Sequence, residues 1–347
     1  MLCNPNYQNL IERLKNKAKI LSEQIGFYSF DVDQVEEDFI NYLNSKSIND
    51  VYPLFGGTAS LVDYVNNMKY YSGTGNPFSP IIYVGSELAS NLEEDKSLYF
   101  KISADLQWKE IFNIPTKCPF VLDHIKRKFV EKWDGAKESK FNAVNCRFYK
   151  TLRETLINDP QFAYDYPFIV YQTLYHTTRN NSNGSINGHE WNVANKFLSI
   201  LTNSEKCYEY YESKNREEGF QKPNPTDKFI DEQIFMTECN LKPAASGQEN
   251  GFKLNQFVFS ELLDNFKQKR IIILHPTTGI RQQCKSNKSY QIASLFRYTK
   301  SKNSLEIYNA YSNKHTIIFS PRNLSEKVSN KLLCDIAYVV KKVSLRR

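Results

Sequence analysis

The first part of the chain alternates apolar and polar positions with the period of a helix. Between residues 7 and 25, apolar side chains recur every three or four positions, with Lys and Glu between them. A second run of this kind spans residues 35–43, and Asp31 and Asp33 precede it as candidate N-cap residues. The pattern predicts a pair of N-terminal helices.

Shorter apolar runs have the length of β-strands. They occupy residues 81–84, 98–102, 229–241, 271–274, 291–298, 304–311 and 316–319. The last two runs flank a short polar turn and predict a hairpin. Helical periodicity returns at residues 121–158 and 325–343. We therefore expect a mixed fold, α+β or α/β, with a helical N-terminal part, a mixed middle and a basic α+β C-terminal part.

Length and turn chemistry predict two domains. A chain of 347 residues exceeds the usual size of one domain. Lys222-Pro223-Asn224-Pro225 cannot continue a helix and is typical of a linker. We expect a helical and mixed α/β domain at residues 1–222 and a basic α+β domain at residues 223–347.

Composition excludes several classes of protein. No apolar run approaches the 18 or so residues that a membrane span requires, and the N-terminus lacks the apolar core of a secretory signal. The 7 cysteines are odd in number and form no CxxC pair, so they fit neither a disulfide framework nor a zinc site. We expect a cytoplasmic protein with free thiols and no membrane partner.

Charge divides the chain into two parts of opposite sign. Residues 265–347 carry 17 Lys or Arg against three acids, a net charge of +14, and the preceding 264 residues have a net charge of −7. Residues 265–305 contain no acid at all. Such a segment repels itself unless an anion neutralises it, which indicates a nucleic-acid partner. A solvated surface whose acids lie elsewhere in the fold is the alternative.

The acid-free segment supplies the candidate nucleic-acid contacts. Its basic residues would bind phosphates, and the Tyr and Phe residues between them would stack on bases or pair across strands. The candidates are Lys267, Lys269, Arg270, Arg281, Lys285, Lys288, Arg297, Lys300 and Lys302.

One apolar run also carries acids and ends in lysine. In FIDEQIFMTECNLK, residues 229–242, Asp231 and Glu238 could hold Mg²⁺, and Lys242 could lie near the attacking water. Phosphodiester hydrolysis requires such a combination of metal-binding carboxylates and a cation. We expect Asp231, Glu238 and Lys242 to be catalytic, with Asp231 and Glu238 as the Mg²⁺ ligands.

This strand resembles the catalytic strand of PD-(D/E)xK nucleases, and the basic, aromatic-rich chain is similar to type II restriction endonucleases. The resemblance implies Mg²⁺-dependent, sequence-specific cleavage of double-stranded DNA. The family has Lys two residues after the acid, where this chain has Asn240. In an extended strand Glu238 and Lys242 lie roughly 13 Å apart. Pro243 is expected to end the strand and to bend it there. We also expect a homodimer.

Other interpretations remain open. The strand could be an edge strand with solvated polar positions. A second acid and lysine pair, Asp105 and Lys109, is the next catalytic candidate. At the level of the whole chain, a non-catalytic nucleic-acid-binding protein is the main alternative, and an enzyme that acts on an anionic metabolite or glycan is a third possibility.

Overall fold

The structure, a computed structural model, describes residues 5–47, 67–89, 105, 108–109, 111–115, 197, 200–202, 233–244, 253–275, 290–291, 306–310, 315–320 and 330–345. The helices are α1 (Pro5–Gln24), α2 (Val32–Ser45) and α3 (Asn330–Leu345). The strands are β1 (Thr74–Gly75), β2 (Ile81–Ala89), β3 (Phe235–Ala244), β4 (Ile271–Leu274), β5 (Tyr290–Gln291), β6 (Glu306–Ala310) and β7 (Thr316–Phe319). A π-helical segment, Phe257–Leu262, precedes β4.

The strands form one 7-stranded sheet in the order β1-β3-β2-β4-β7-β6-β5. The neighbours β3, β2, β4 and β7 run parallel to one another, whereas β1, β6 and β5 pair antiparallel at the two sides. Parallel strands are covered on both faces and consist of nearly continuous apolar residues. The sequences IIIL of β4 and TIIF of β7 follow this rule, and all eight residues are buried. The prediction of a mixed fold is confirmed.

Apolar side chains cover both faces of the sheet. On one face, Ile82 and Val84 of β2 pack with Val35 and Phe39 of α2. On the other face, the alternate strand residues pack with α3, among them Ile81, Tyr83, Ile271, Ile273, Leu333 and Ile336. The period of two along each strand explains this division. Burial of each such side chain stabilises the fold by about 1.5 to 3 kcal/mol.

The N-terminal helices begin and pack as the sequence predicts. Asp31 is the N-cap of α2, and its carboxylate accepts hydrogen bonds from the N–H groups of Asp33 at 2.9 Å and Gln34 at 3.3 Å. Asp33, the other candidate cap, lies in the first turn of the helix. In α1 the periodic apolar positions, such as Leu14 and Ala18, are buried.

Several sequence expectations differ from the structure or lie outside it. The hairpin is confirmed as β6 and β7. The expectation that Pro243 ends β3 is wrong, because the strand continues to Ala244. An irregularity in pairing with β2, between Glu87 and Ala89, accommodates the proline, which has no N–H to donate. The elements expected at residues 98–102 and 121–158 lie outside the described residues.

The sheet also bears on domain organisation. β2 precedes the expected boundary at residues 222–223, and its two neighbours β3 and β4 follow it. Among the described residues, the segments before and after this boundary therefore share one sheet and the same apolar layers. The first of the described helices and the interior strand β2 depend for their burial on strands that come late in the chain.

Candidate functional site

At one edge of the sheet β4 ends at Leu274 beside Val84, whereas the neighbouring strands β2 and β3 continue past it to Ala89 and Ala244. β2 comes first in the chain, and it pairs with β3 on one side and with β4 on the other. The strand that follows β2 in the chain, β3, lies on one side of it, and the strands that follow β4 lie on the other side. The order of the strands therefore reverses between β2 and β4. In open α/β sheets such a reversal of strand order creates a crevice outside the carboxyl ends, where ligands bind. Functional side chains are consequently expected at this edge.

The carboxylate of Glu238 lies over Gly85, one register position beyond the end of β4 and within β2 and β3. The two residues are register partners in β3 and β2. A Cβ atom built on Gly85 would lie 2.3 Å from Oε2 of Glu238, so the absence of a side chain at position 85 provides the space that the carboxylate occupies. Oε2 is buried, although Glu238 as a whole is half-buried. Because burying a carboxylate oxygen is costly, this placement identifies Glu238 as a candidate functional group.

His275 lies at the same edge, directly after β4. Its backbone N–H donates to the carbonyl oxygen of Val84 at 2.9 Å and so extends the ladder between β4 and β2 by one residue. Its Nδ1 atom lies 3.2 Å from the carbonyl oxygen of Ser320, which follows β7. Strand residues two apart share a face. Met236 and Ile273, two residues before Glu238 and His275, pack in one apolar cluster, which places both polar residues on that face.

Asn255 fixes the backbone of β3 next to Glu238. Its Nδ2 group donates to the carbonyl oxygens of Glu238 at 2.9 Å and Tyr71 at 2.8 Å. Its Oδ1 atom accepts from the N–H groups of Tyr71 at 3.0 Å and Phe257 at 3.1 Å. Asn255 is fully buried. A buried amide that satisfies four backbone contacts holds three chain segments in one geometry, because an alternative arrangement would leave buried polar groups unsatisfied.

Of the three residues expected to be catalytic, only Glu238 has a described side chain. Asp231 lies outside the described residues. Lys242 belongs to β3, four residues beyond Glu238, and it lies where the pairing of β3 with β2 is irregular. Asn240, between them, is buried and accepts a hydrogen bond from the N–H of Lys253. The convergence of Asp231, Glu238 and Lys242 stays a prediction.

The candidate nucleic-acid contacts divide into three groups. Lys267 is exposed and lies 3.3 Å from Glu37, and Lys269 is half-buried. Arg270 is buried, with only 1% of its surface exposed. The remaining candidates lie outside the described residues: Arg281, Lys285, Lys288, Arg297, Lys300 and Lys302.

Arg270 is located inside the protein at the opposite edge of the sheet, just before β4. Its Nη1 group donates to the carbonyl oxygen of Pro77 at 2.8 Å, and the guanidinium lies 5.7 Å from the ring centre of Phe266. Burial lowers the pKa of Arg270 to about 9, and the charge of Asp38 opposes this shift. A guanidinium in this position contacts the protein itself, so we leave Arg270 out of the proposed nucleic-acid interface.

The alternative catalytic pair, Asp105 and Lys109, is also buried. The Asp105 carboxylate accepts hydrogen bonds from the Tyr42 hydroxyl and from the N–H of Ser72. Lys109 donates to the carbonyl oxygen of Lys46 at the end of α2. Burial raises the pKa of Asp105 above its ordinary value of 3.8, and the hydrogen bonds from Ser72 and Tyr42 oppose this shift. These contacts connect α2 to the segment that precedes β1.

Replacing Asp105 by asparagine is expected to destabilise the protein by about 1 to 3 kcal/mol, because its two donors would compete for one remaining acceptor. The raised pKa makes the folded protein bind an extra proton between pH 3.8 and the higher pKa of the folded state. The stabilising contribution of Asp105 is therefore complete at low pH and is lost as the pH rises through the folded pKa. Urea unfolding of both proteins between pH 4 and 7 should show a difference that shrinks with increasing pH; a difference that grows would contradict the raised pKa.

Sequence reasoning missed Gly85, His275 and Asn255. A signal was present for His275, since a polar residue directly after a buried apolar strand often lies at the carboxyl edge of a sheet. Gly85 and Asn255 have no comparable signal, because their roles depend on the pairing of distant segments. No group of three or more His, Cys, Asp or Glu side chains that could hold a metal ion occurs in the described part of the chain.

The helices of the described segments include none with the length and apolar character needed to cross a membrane. Comparison with known proteins identifies no relative: no family model, no curated protein and no solved structure matches this chain.

Proposed function

We propose that the chain is a nucleic-acid-directed hydrolase whose reaction centre lies beside the carboxyl end of β4, over Gly85 of β2 and Glu238 of β3. The observation that carries this proposal is the Glu238 carboxylate, which lies over Gly85 at the point where strand order reverses. In its specific form, the proposal is Mg²⁺-dependent, site-specific cleavage of double-stranded DNA by a cytoplasmic homodimer. Two buried cysteines, Cys239 and Cys334, are thiols and not disulfides, which fits a reducing compartment.

Charge supports a nucleic-acid substrate. The basic segment from residue 265 onward contains β4, whose carboxyl end borders the crevice. Arg281 follows His275 by six residues, so the chain can place it at most about 22 Å from the crevice. Lys285 and Lys288 come shortly after it. The length of the chain therefore allows a phosphate bound by Arg281 to lie beside the crevice.

The proposal includes a magnesium ion bound together with substrate. Mg²⁺ in nucleic-acid enzymes is commonly held by one or two carboxylates, with phosphate oxygens and water completing its shell. Glu238 would supply one carboxylate, and Asp231 is the proposed second ligand. The ion would neutralise charge on the phosphate. The protein contributes the fixed position of the Glu238 carboxylate, which Gly85 and Asn255 maintain.

A non-catalytic nucleic-acid-binding protein is the second candidate. The observation that favours it is that Asn240, where PD-(D/E)xK nucleases have Lys, is buried and accepts a hydrogen bond from the N–H of Lys253. In that case the basic segment would bind DNA or RNA, and Glu238 would be a structural group of the sheet. The two candidates differ in one measurable property, the breakage of nucleic-acid strands.

The direct test is incubation of the purified full chain with supercoiled plasmid DNA in the presence of Mg²⁺ or EDTA. Discrete linear fragments that require Mg²⁺ would support the hydrolase. DNA binding without any strand breakage, with Mg²⁺ or Mn²⁺ present, would favour the non-catalytic candidate and overturn the hydrolase.

Binding to duplex DNA is expected to depend steeply on salt. If about six basic residues of the acid-free segment contact phosphates, the logarithm of the binding constant should fall with the logarithm of salt concentration with a slope of about −5. Arg281→Ala should reduce this slope by about one unit. Lys19→Ala, which changes an exposed lysine of α1 in the acidic part of the chain, is the matched control and should leave the slope unchanged. A wild-type slope near zero would exclude a nucleic-acid partner.

A further inference from the structure

The guanidinium of Arg270 has one edge that no protein group satisfies. Its Nη1 group donates to the carbonyl oxygen of Pro77 at 2.8 Å. Its Nε and Nη2 groups are buried, and neither has a hydrogen-bond partner among the described residues. Nε–H and one N–H of Nη2 are parallel, because both lie on the side of the planar group opposite Cδ. This pair of donors is the edge with which arginine binds the two oxygens of a carboxylate or a phosphate.

Neighbouring groups fix this edge inside the protein. The backbone N–H of Arg270 donates to Nδ1 of His315 at 3.0 Å, and its carbonyl oxygen accepts from the N–H of Thr316 at 3.1 Å. The guanidinium also lies 5.7 Å from the ring centre of Phe266. Only 1% of Arg270 is exposed, so the two donors have no access to bulk water. Because an unsatisfied buried donor is costly, above all on a cation, the edge requires an acceptor within the fold.

Asp38 acts on Arg270 through its charge, but it does not provide this acceptor. Its Oδ2 atom accepts from the N–H of Gln268 at 2.8 Å, and its Oδ1 atom accepts from the side-chain amide of Gln34 at 3.2 Å. Neither of its oxygens bonds to Nε or Nη2 of Arg270. With a pKa of about 9, the guanidinium remains a cation at neutral pH. A charged acceptor binds such a donor pair more strongly than a neutral one does, so an anion is favoured over water.

We propose that the Nε and Nη2 edge of Arg270 is an internal binding site for one small oxyanion, with two oxygens on one central atom as in a carboxylate or a phosphate. Each of the two parallel donors would bond to one of these oxygens. Burial limits the ligand to a few atoms, and its exchange with solvent requires local opening of the fold. The site lies at the amino end of β4, away from Gly85 and Glu238, and does not depend on the proposed hydrolase function.

Equilibrium dialysis of the full chain against radiolabelled formate or inorganic phosphate, at constant ionic strength, measures this binding. We expect saturable uptake of one ion per chain. Uptake of formate alone would assign a carboxylate ligand, and uptake of phosphate would assign a phosphate ligand. Absence of saturable uptake of either ion by the wild-type protein would overturn the inference.

Substitutions assign the uptake to the arginine edge. Arg270→Lys keeps the positive charge but lacks two parallel donors, so its affinity should fall at least about tenfold. Arg270→Met removes both charge and donors and should abolish uptake. Lys19→Ala, which changes an exposed lysine of α1, is the control and should bind as the wild type does. Equal affinity of folded Arg270→Lys and the wild type would contradict the assignment.

A second measurement needs no variant that folds. In a protein labelled with ¹⁵N-arginine, a buried Nε–H exchanges slowly with solvent and gives a signal that persists where exposed arginines lose theirs. We expect one such protected signal to shift with added formate or phosphate and to saturate at the concentrations found by dialysis. Protected signals that stay unchanged would indicate an ordered water only at this edge and would overturn the inference.

Discussion

Glu238→Gln is expected to reduce Mg²⁺-dependent DNA cleavage by about 10³-fold, a loss typical for a positioned acid, base or metal-binding carboxylate. Glutamine has nearly the same shape as glutamate, so it still fills the space over Gly85. It lacks the charge that holds a metal ion or orients water. DNA affinity should remain the same or increase slightly, because the substitution removes the repulsion between the carboxylate and phosphate. Plasmid cleavage and filter binding on the same preparations measure the two effects.

A second variant tests the position of the carboxylate separately from its charge. Gly85→Ala adds a methyl group 2.3 Å from Oε2, and the flexible end of Glu238 must move away. We expect a loss of cleavage with little change in stability, since only the end of a side chain is displaced.

Full activity of folded Glu238→Gln would remove Glu238 from the site. Collapse of its thermal transition would show instead that the carboxylate stabilises the sheet.

Gly73→Ala is expected to destabilise the protein by about 3 to 5 kcal/mol, the largest effect on stability that we anticipate. Gly73 has φ of +114°, a conformation that residues with a side chain rarely adopt, and its Cβ would lie 2.2 Å from the carbonyl oxygen of Met236. The clash is with the backbone of β3, so no side-chain rotation relieves it. Urea or thermal unfolding of the variant measures the loss.

Gly26→Ala is the matched control for backbone conformation. Gly26 follows α1 and has φ of +77°, so alanine there incurs mainly the cost of a left-handed conformation, about 1 kcal/mol. The difference between the two variants isolates the contact with β3. Equal losses in the two proteins would contradict the close approach of Gly73 to Met236.

Local elements of the fold could be predicted from the sequence, whereas the arrangement of the sheet could not. Local features depend on residues that are neighbours in the chain, so they can be recognised in the sequence itself. Examples are the helical periodicity of α1, the Asp31 cap and the apolar runs of β4 and β7. The parallel pairing of β2 with β3 joins segments about 150 residues apart. No local pattern encodes that register, because it is determined by how the whole core packs.

The same limit applies to the candidate site. Glu238 stands out in the sequence as an acid within an apolar strand. The importance of Gly85 arises only when β2 and β3 are paired, since a glycine in an apolar run is equally typical of a bulge or a tight bend. His275 has a clear position after β4, but its nearness to Glu238 depends on the order of three strands. Asp105 illustrates the opposite error, because an acid four residues before a lysine proved to be a buried hydrogen-bonding group.

The interior position of β2, between β3 and β4, has a consequence for synthesis of the protein. Its register partners in β3 and β4 come more than 150 residues later in the chain. At a translation rate of roughly 5 to 20 residues per second, β2 emerges from the ribosome about 8 to 30 s before β3. During this interval Ile81, Ile82, Tyr83 and Val84, which are buried on both faces of the finished sheet, have neither neighbouring strand. The nascent chain must therefore be shielded from aggregation at this strand until its second half has been made.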